Sequence, residues 1–212
     1  MKDYNEEYFY VESTGDNYPM LAYAAGGGDY TEIDKAKSLN ITEKRIVCYK
    51  APIPAKPQLA DLHFLTQHAP VISERLKDVL ESLNLKEVQF LPAIVRDSSH
   101  NEHERFYIVH VYNLIECMDR EKSEWTQNPF SKAVKVGKIE KLVLDNELID
   151  AIPLEERLVF AARERSTHVL YHQSVVEKML EIAPTGLTIY RLSKYDSSLP
   201  FIESYMAKRK GE

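Results

Sequence analysis

The sequence predicts an α+β domain in which a mixed, mostly antiparallel sheet carries two principal helices. Three observations point there. Residues 69–92 change from a helical period to an alternating one, and residues 168–190 run through strand, helix, turn and strand. Phe106–Cys117 (FYIVHVYNLIEC) is a long run with apolar residues on both faces, which suits a strand covered on both sides.

In chain order, Glu7–Glu12 (EYFYVE) reads as a short aromatic strand ended by the turn signal Ser13–Asn17. Tyr18–Tyr23 is expected to pair with it, and Gly26, Gly27 and Gly28 then make a flexible turn. They form no phosphate loop, because the GxGxxG spacing and a following Lys-Ser/Thr are both absent. Arg45–Lys50 (RIVCYK) is a further strand. APIPAKP (51–57) carries three prolines and is an extended connector that cannot join a central ladder.

The organising stretch is APVISERLKDVLESLNLKEVQFLP (69–92). Ile72, Leu76, Val79, Leu80 and Leu83 fall on one helical stripe, Ser73 stands where an N-cap belongs, and Asn84 with Lys86 makes the stop. Burying that stripe contributes roughly 7–15 kcal/mol before entropy. Val88, Phe90 and Ala93 then alternate with Gln89 and Leu91 as a strand on which the helix packs.

RDSSHNEHER (96–105) is polar throughout and reads as a loop, and Phe106–Cys117 as one central strand. The loop 119–131 holds the single tryptophan, Trp125, followed by Phe130. Lys138–Asp145 reads as a strand, Asp145–Asp150 as a turn or short helix, and Leu158–Ala162 as a strand. The segment 168–190 repeats the order of residues 71–91, with Leu80–Glu81 answered by Leu180–Glu181, and 201–209 reads as a terminal helix.

The 212 residues, 44% hydrophobic and 28% charged, suffice for one soluble domain over 1–212, and no linker long enough to split it occurs. No apolar run approaches the roughly 18 residues of a membrane helix. The acidic N-terminus lacks a secretory signal's apolar region, so a cytoplasmic location is expected. Cys48 and Cys117 are expected as buried thiols rather than a disulfide.

The net charge of −6 is unevenly placed. Residues 1–34 hold eight acidic side chains against Lys2, a balance of 1 − 8 = −7, and the first thirty positions also hold six tyrosines. A cationic partner is favoured and nucleic acid disfavoured. Tyr8, Tyr10, Tyr18 and Asp29 at this end, with Trp125 in its loop, are the candidate partner contacts, because aromatic residues are enriched at interface hot spots.

Catalysis has little support. His100 and His103 form an HxxH, His63 and His68 are close in sequence, and His168 and His172 stand four apart. A zinc site needs three or four converging ligands, and an HxxH in a polar loop supplies two. A metal-dependent hydrolase using His100 and His103 is therefore an alternative only, and no metal or cofactor is expected. His110 reads as a bonded core or edge histidine and His172 as a cap. Cys117 lies between Glu116 and Asp119, which raise its pKa, so it is expected to be inert.

Several stretches together resemble polymorphic-toxin immunity family eleven, formerly a domain of unknown function. They are VISERLKDVLESLNLKEVQFLPAIV (71–95), NLIECMDREKSEW (113–125), and VLYHQSVVEKMLE with TGLTIY (169–190). The likeness is strongest at ISERLK with VQFLP, and next at Asp119 with Ser123. It implies a family-like core at 58–200 preceded by a variable acidic part at 1–57. It also implies a cytoplasmic antidote without enzymatic activity, which binds a cognate toxin or effector C-terminal domain and occludes its active site. The systems it implies include type VI secretion and contact-dependent delivery, often of nucleases. A ligand-binding or scaffold domain without a toxin partner is the remaining alternative.

Overall fold

The strand expected near the N-terminus and the helix expected after Ser73 both form, but they belong to different sheets. The computed structural model describes residues 2–14, 17–24, 37–41, 43–65, 69–130 and 136–197. In chain order the elements are β1 (Tyr8–Ser13), β2 (Leu21–Tyr23), β3 (Arg45–Tyr49), β4 (Leu62–Phe64), β5 (Pro70–Ser73), α1 (Glu74–Glu81), β6 (Val88–Arg96) and β7 (Glu102–Val111). There follow β8 (Leu114–Ile115), β9 (Glu124–Gln127), β10 (Val136–Lys141), α2 (Asn146–Asp150), β11 (Val159–Ala162), β12 (Val169–His172), α3 (Gln173–Glu181) and β13 (Leu187–Arg191). One sheet has the order β13-β1-β12-β11-β8, a second β2-β3-β6-β7-β5-β4, and β9 and β10 form a hairpin. The class is α+β as predicted, with the strands divided between two mixed, mostly antiparallel sheets.

The repeated order of elements is a repeated topology. β5 and β6 both run antiparallel to β7, so α1 joins two parallel strands with a third between them. In the same way α3 joins β12 and β13, and β1 lies antiparallel between them. Each unit is a split βαβ. The inserted strand comes after the unit in one case and from the N-terminus in the other, and short-range pattern cannot show that.

Ser73 caps α1, accepting from the Leu76 amide at 3.4 Å. His172 caps α3 through Nδ1, which accepts from the Ser174 amide at 3.2 Å. Asn84, with φ 50°, ends the turn after α1. The helix is shorter than the predicted stripe. Ile72 is buried from β5, and within α1 only Leu76 and Leu80 are fully buried. Leu76 and Leu80 meet Val175, Val176, Met179 and Leu180 of α3 in one cluster shared by both sheets. Leu80→Ala should cost about 3 kcal/mol, because the rigid neighbours leave a cavity; an unchanged urea midpoint would remove Leu80 from this core.

Several expectations are corrected. Tyr18–Tyr23 yields β2, which pairs with β3 and not with β1. Ala93 faces away from Val88 and Phe90, joining Leu91 and Val95 on the far face of β6. Residues 96–105 are not a loop throughout. β6 and β7 continue into them, and Arg96 pairs with Glu102 at 2.5 Å across the hairpin. These strand ends run beyond the apolar layer, so polarity there marks exposure rather than irregular backbone. Phe106–Cys117 is two strands, because buried Asn113 interrupts it and gives its side-chain amide to the Glu156 and Val159 carbonyls at 2.8 and 3.1 Å. β7 stays in the six-stranded sheet, while β8 crosses to the edge of the other and runs parallel to β11. The loop around Trp125 contains β9.

Residues 51–57 lie outside every strand, as expected. Gly26–Gly28 and 201–209 lie outside the described residues. Among the described residues no helix is long and apolar enough to cross a membrane.

Candidate functional site

β1 and β12 pair only at Tyr8↔His172 and Phe9↔Tyr171, and then part. β1 continues along β13 as far as Ser13↔Leu187, and β12 along β11 as far as Val169. The opening between them is a cleft of about 270 Å³ walled by Tyr10, Tyr171, Tyr195, Phe64, Val11 and Val169, with Glu12 beside it. Phe64 and Pro70 come from the six-stranded sheet, so the cleft lies where the two sheets approach.

Its polar groups are held in place. The Tyr10 hydroxyl bonds His168 Nδ1 at 2.8 Å, and the Tyr10 and Tyr195 rings stand 4.4 Å apart. Tyr195 donates its hydroxyl to Glu12 Oε1. Burial pushes the Tyr10 hydroxyl well above its ordinary value, and burial together with the Glu12 carboxylate does the same for Tyr195. Both therefore remain protonated donors near neutrality. Thr167 and Pro70 complete the lining.

The second feature is the β9–β10 hairpin. The Trp125 indole N–H donates to the Arg120 carbonyl at 3.2 Å, the Arg120 guanidinium lies 5.6 Å from the ring, and the ring packs on the core beneath. Asp119 and Ser123 fasten the approach to this hairpin. The Asp119 carboxylate accepts from the Glu121 and Lys122 amides, each at 3.1 Å, and Ser123 Oγ accepts from the Val143 amide at 2.9 Å. Trp125 is thus the fastening, while Phe130 at the hairpin connection is 95% exposed.

Of the predicted contacts, Tyr8 is fully enclosed. Its hydroxyl donates to the Arg157 carbonyl at 3.0 Å, accepts from Arg157 Nη1 at 2.9 Å, and is pushed up to about 12 by burial, against the pull of Arg157. Strand alternation turns Tyr8 and Tyr10 to the same side of β1. Tyr10 reaches the cleft, whereas Tyr8 serves the core. Tyr18 is half-buried, Trp125 is as described, and Asp29 lies outside the described residues. Tyr195, Phe64 and His168 were missed, because nothing in the local sequence says that they converge with Tyr10.

The histidines have other duties. His103 Nε2 lies 3.0 Å from Asp97 Oδ2, holding that carboxyl well below its ordinary range, and His100 occupies the turn with φ 64°. His63 Nε2 accepts from the Ala60 amide at 2.9 Å, and His110 Nε2 lies 2.8 Å from the Lys37 carbonyl. Among the described residues no three His, Cys, Asp or Glu side chains are grouped as metal ligands. Cys48 and Cys117 are free thiols, and burial followed by Glu164, rather than Asp119, pushes Cys117 far up.

Fold and site together define an α+β protein with two split βαβ units and an aromatic, acid-edged cleft. The model of the Immunity protein family (Imm11) matches residues 20–193, and the chain belongs to that family. The match begins well upstream of the 58–200 core expected from the resemblance. A search of curated proteins returned no match.

Proposed function

We propose that this protein is a cytoplasmic antidote that binds a cognate toxin or effector domain and covers its active site, performing no reaction of its own. The observation that carries the reading is the family match across residues 20–193. Family-wide function supplies the partner class, and charge supplies its character. Residues 1–34 carry a net −7, which favours a cationic toxin face such as a nuclease presents to its substrate. The interface should cover about 800 Å² per partner, with Trp125 holding the hairpin that carries Phe130 and the acidic end steering approach.

The test is co-expression with the toxin domain encoded beside this gene. Cells should survive only when the antidote is made, and the two chains should co-purify. Unchanged killing would overturn the reading. With the complex in hand, replacing Asp16, Asp29 and Asp34 by asparagine should slow association and flatten its salt dependence while leaving the melting temperature unchanged. Opposite potentials raise association rates by about 10-fold to 1,000-fold at low salt, so an unchanged rate would exclude steering. Phe130→Ala should weaken the complex by about tenfold or more without altering stability, because an exposed ring contributes only when a partner covers it. Equal affinity in a binding titration would place the contact elsewhere.

A further inference from the structure

Four acidic side chains of the N-terminal part fall within the described residues: two already face cations, and a third, Asp3, caps the turn that follows it. Asp3 accepts from the Asn5 amide at 3.0 Å, Glu6 faces Arg191 at 3.5 Å, and Glu7 faces Lys2 at 2.9 Å. Glu12 differs. It accepts the Tyr195 hydroxyl on Oε1, and among the described residues no cation stands opposite it.

We propose that the cleft between β1 and β12 receives one basic side chain, lysine or arginine, presented by the partner protein. The partner's identity rests on the antidote reading, whereas the chemistry of the cleft does not. Aromatic walls and a carboxylate at the rim are the surroundings that hold an organic cation, through attraction to the rings and a charge-assisted hydrogen bond. Tyr195 fixes the carboxylate by one oxygen and leaves the other to accept an N–H. Val11 and Val169 suit the aliphatic stem of a long basic side chain. The volume, about 270 Å³, lies just below the roughly 300–1,000 Å³ of small-molecule clefts and fits a single long side chain. An anion would be repelled by Glu12. A neutral apolar group would strip water from the carboxylate without replacing its hydrogen bonds.

The parted strands supply a second contact. In an antiparallel ladder alternate residues turn their amide and carbonyl to alternate sides. The Gln173 amide donates to the Glu7 carbonyl on the β12 side at 2.8 Å, and the Thr14 amide donates to Gly186 on the β13 side at 3.1 Å. Odd-numbered residues of β1 therefore face β12. Beyond Phe9 that partner is gone, so the main chain of Val11 faces the cleft and can bond the backbone that carries the basic side chain.

The experiment is an amide NMR titration of the labelled full chain with Nα-acetyl-arginine methylamide, its lysine counterpart and the neutral isostere Nα-acetyl-citrulline methylamide. The cations should give saturable shifts at Val11, Glu12 and Val169. Citrulline should bind about tenfold more weakly, the size of one charge-assisted bond. Glu12→Gln should abolish that preference while the remaining spectrum superimposes. Absence of saturable shifts, or equal binding of citrulline, would overturn the proposal. So would binding that appears only after Lys208, Arg209 and Lys210 are changed to serine, since the chain's own tail would then be the occupant. Failure here with protection intact in co-expression would remove the cleft's role alone; loss of protection with the cation preference intact would remove the antidote reading alone.

Discussion

Gly186→Ala should cost about 2–5 kcal/mol, backbone strain and overpacking together. Gly186 has φ +79°, where an L side chain is strained by about 1–2 kcal/mol. A Cβ there would stand 2.3 Å from Ala60 Cβ and 2.6 Å from the Leu62 carbonyl oxygen. One obstacle is a buried methyl and the other is backbone, so neither can swing aside as the end of a flexible side chain would, and the overpacking adds about 1–3 kcal/mol or more. Separating the strands would break one bond between the two sheets and one within the five-stranded sheet. The Leu62 amide donates to the Thr185 carbonyl at 3.2 Å, and the Thr14 amide to the Gly186 carbonyl at 3.1 Å. At Gly137 the nearest approach is a milder 3.0 Å and φ is not positive, so alanine there should be far less harmful. Urea denaturation of the two variants checks the contrast, and a Gly186→Ala chain as stable as the parent would refute the close approach.

Asp61→Ala should cost about 1–3 kcal/mol, because the Thr185 amide, the Thr185 hydroxyl and the Ser73 hydroxyl lose their acceptor while the half-exposed Arg75 guanidinium returns to water. The Asp61 carboxylate is 6% exposed and receives five donors. Oδ1 accepts from Ser73 Oγ at 2.7 Å and Arg75 Nε at 2.6 Å. Oδ2 accepts from Arg75 Nη2 at 2.6 Å, the Thr185 amide at 2.8 Å and Thr185 Oγ1 at 2.9 Å. Arg75 extends the joint to the end of α3 through the Ile182 carbonyl at 3.2 Å. Asp61→Asn should not rescue, because either orientation of the amide sets its NH₂ against donors.

The pH dependence has a definite sign. Burial alone would raise the Asp61 carboxyl, but Arg75, Thr185 and Ser73 together hold it well below the ordinary range. Its contribution is complete above the unfolded carboxylate's value near pH 4 and is lost as pH falls toward the depressed folded value. In Arg75→Met the raising effect of burial meets less opposition, so acid unfolding should move to higher pH. A midpoint that stayed in place would show that Arg75 does not hold the carboxylate.

The ISERLK and TGLTIY stretches that carry the family resemblance contain this joint. Ser73 and Arg75 come from the first, Thr185 and Gly186 from the second, and the carboxylate that unites them lies outside both. Reading Ser73 as a cap was right, yet Ser73 Oγ also donates to Asp61. The glycine of a plain turn proved to be a close packing contact. Local pattern reports the period of an element and the residue that ends it, whereas it carries nothing about a partner more than a hundred positions away.

By itself the sequence determined the class, both principal helices with their caps, the strand at Leu158–Ala162, the buried Cys117 and the family. Those follow from interactions between residues a few positions apart, together with a composition that permits one core. Only the tertiary structure decided that the strands divide into two sheets and that β1 completes a unit begun at residue 169. It also placed Tyr8 in the core, fastened Trp125, left Phe130 bare and brought Tyr10, Glu12 and Tyr195 around one cleft. Each of those outcomes depends on which apolar face finds which partner across the chain, and the free energy of that choice resides in contacts between segments rather than in any segment alone.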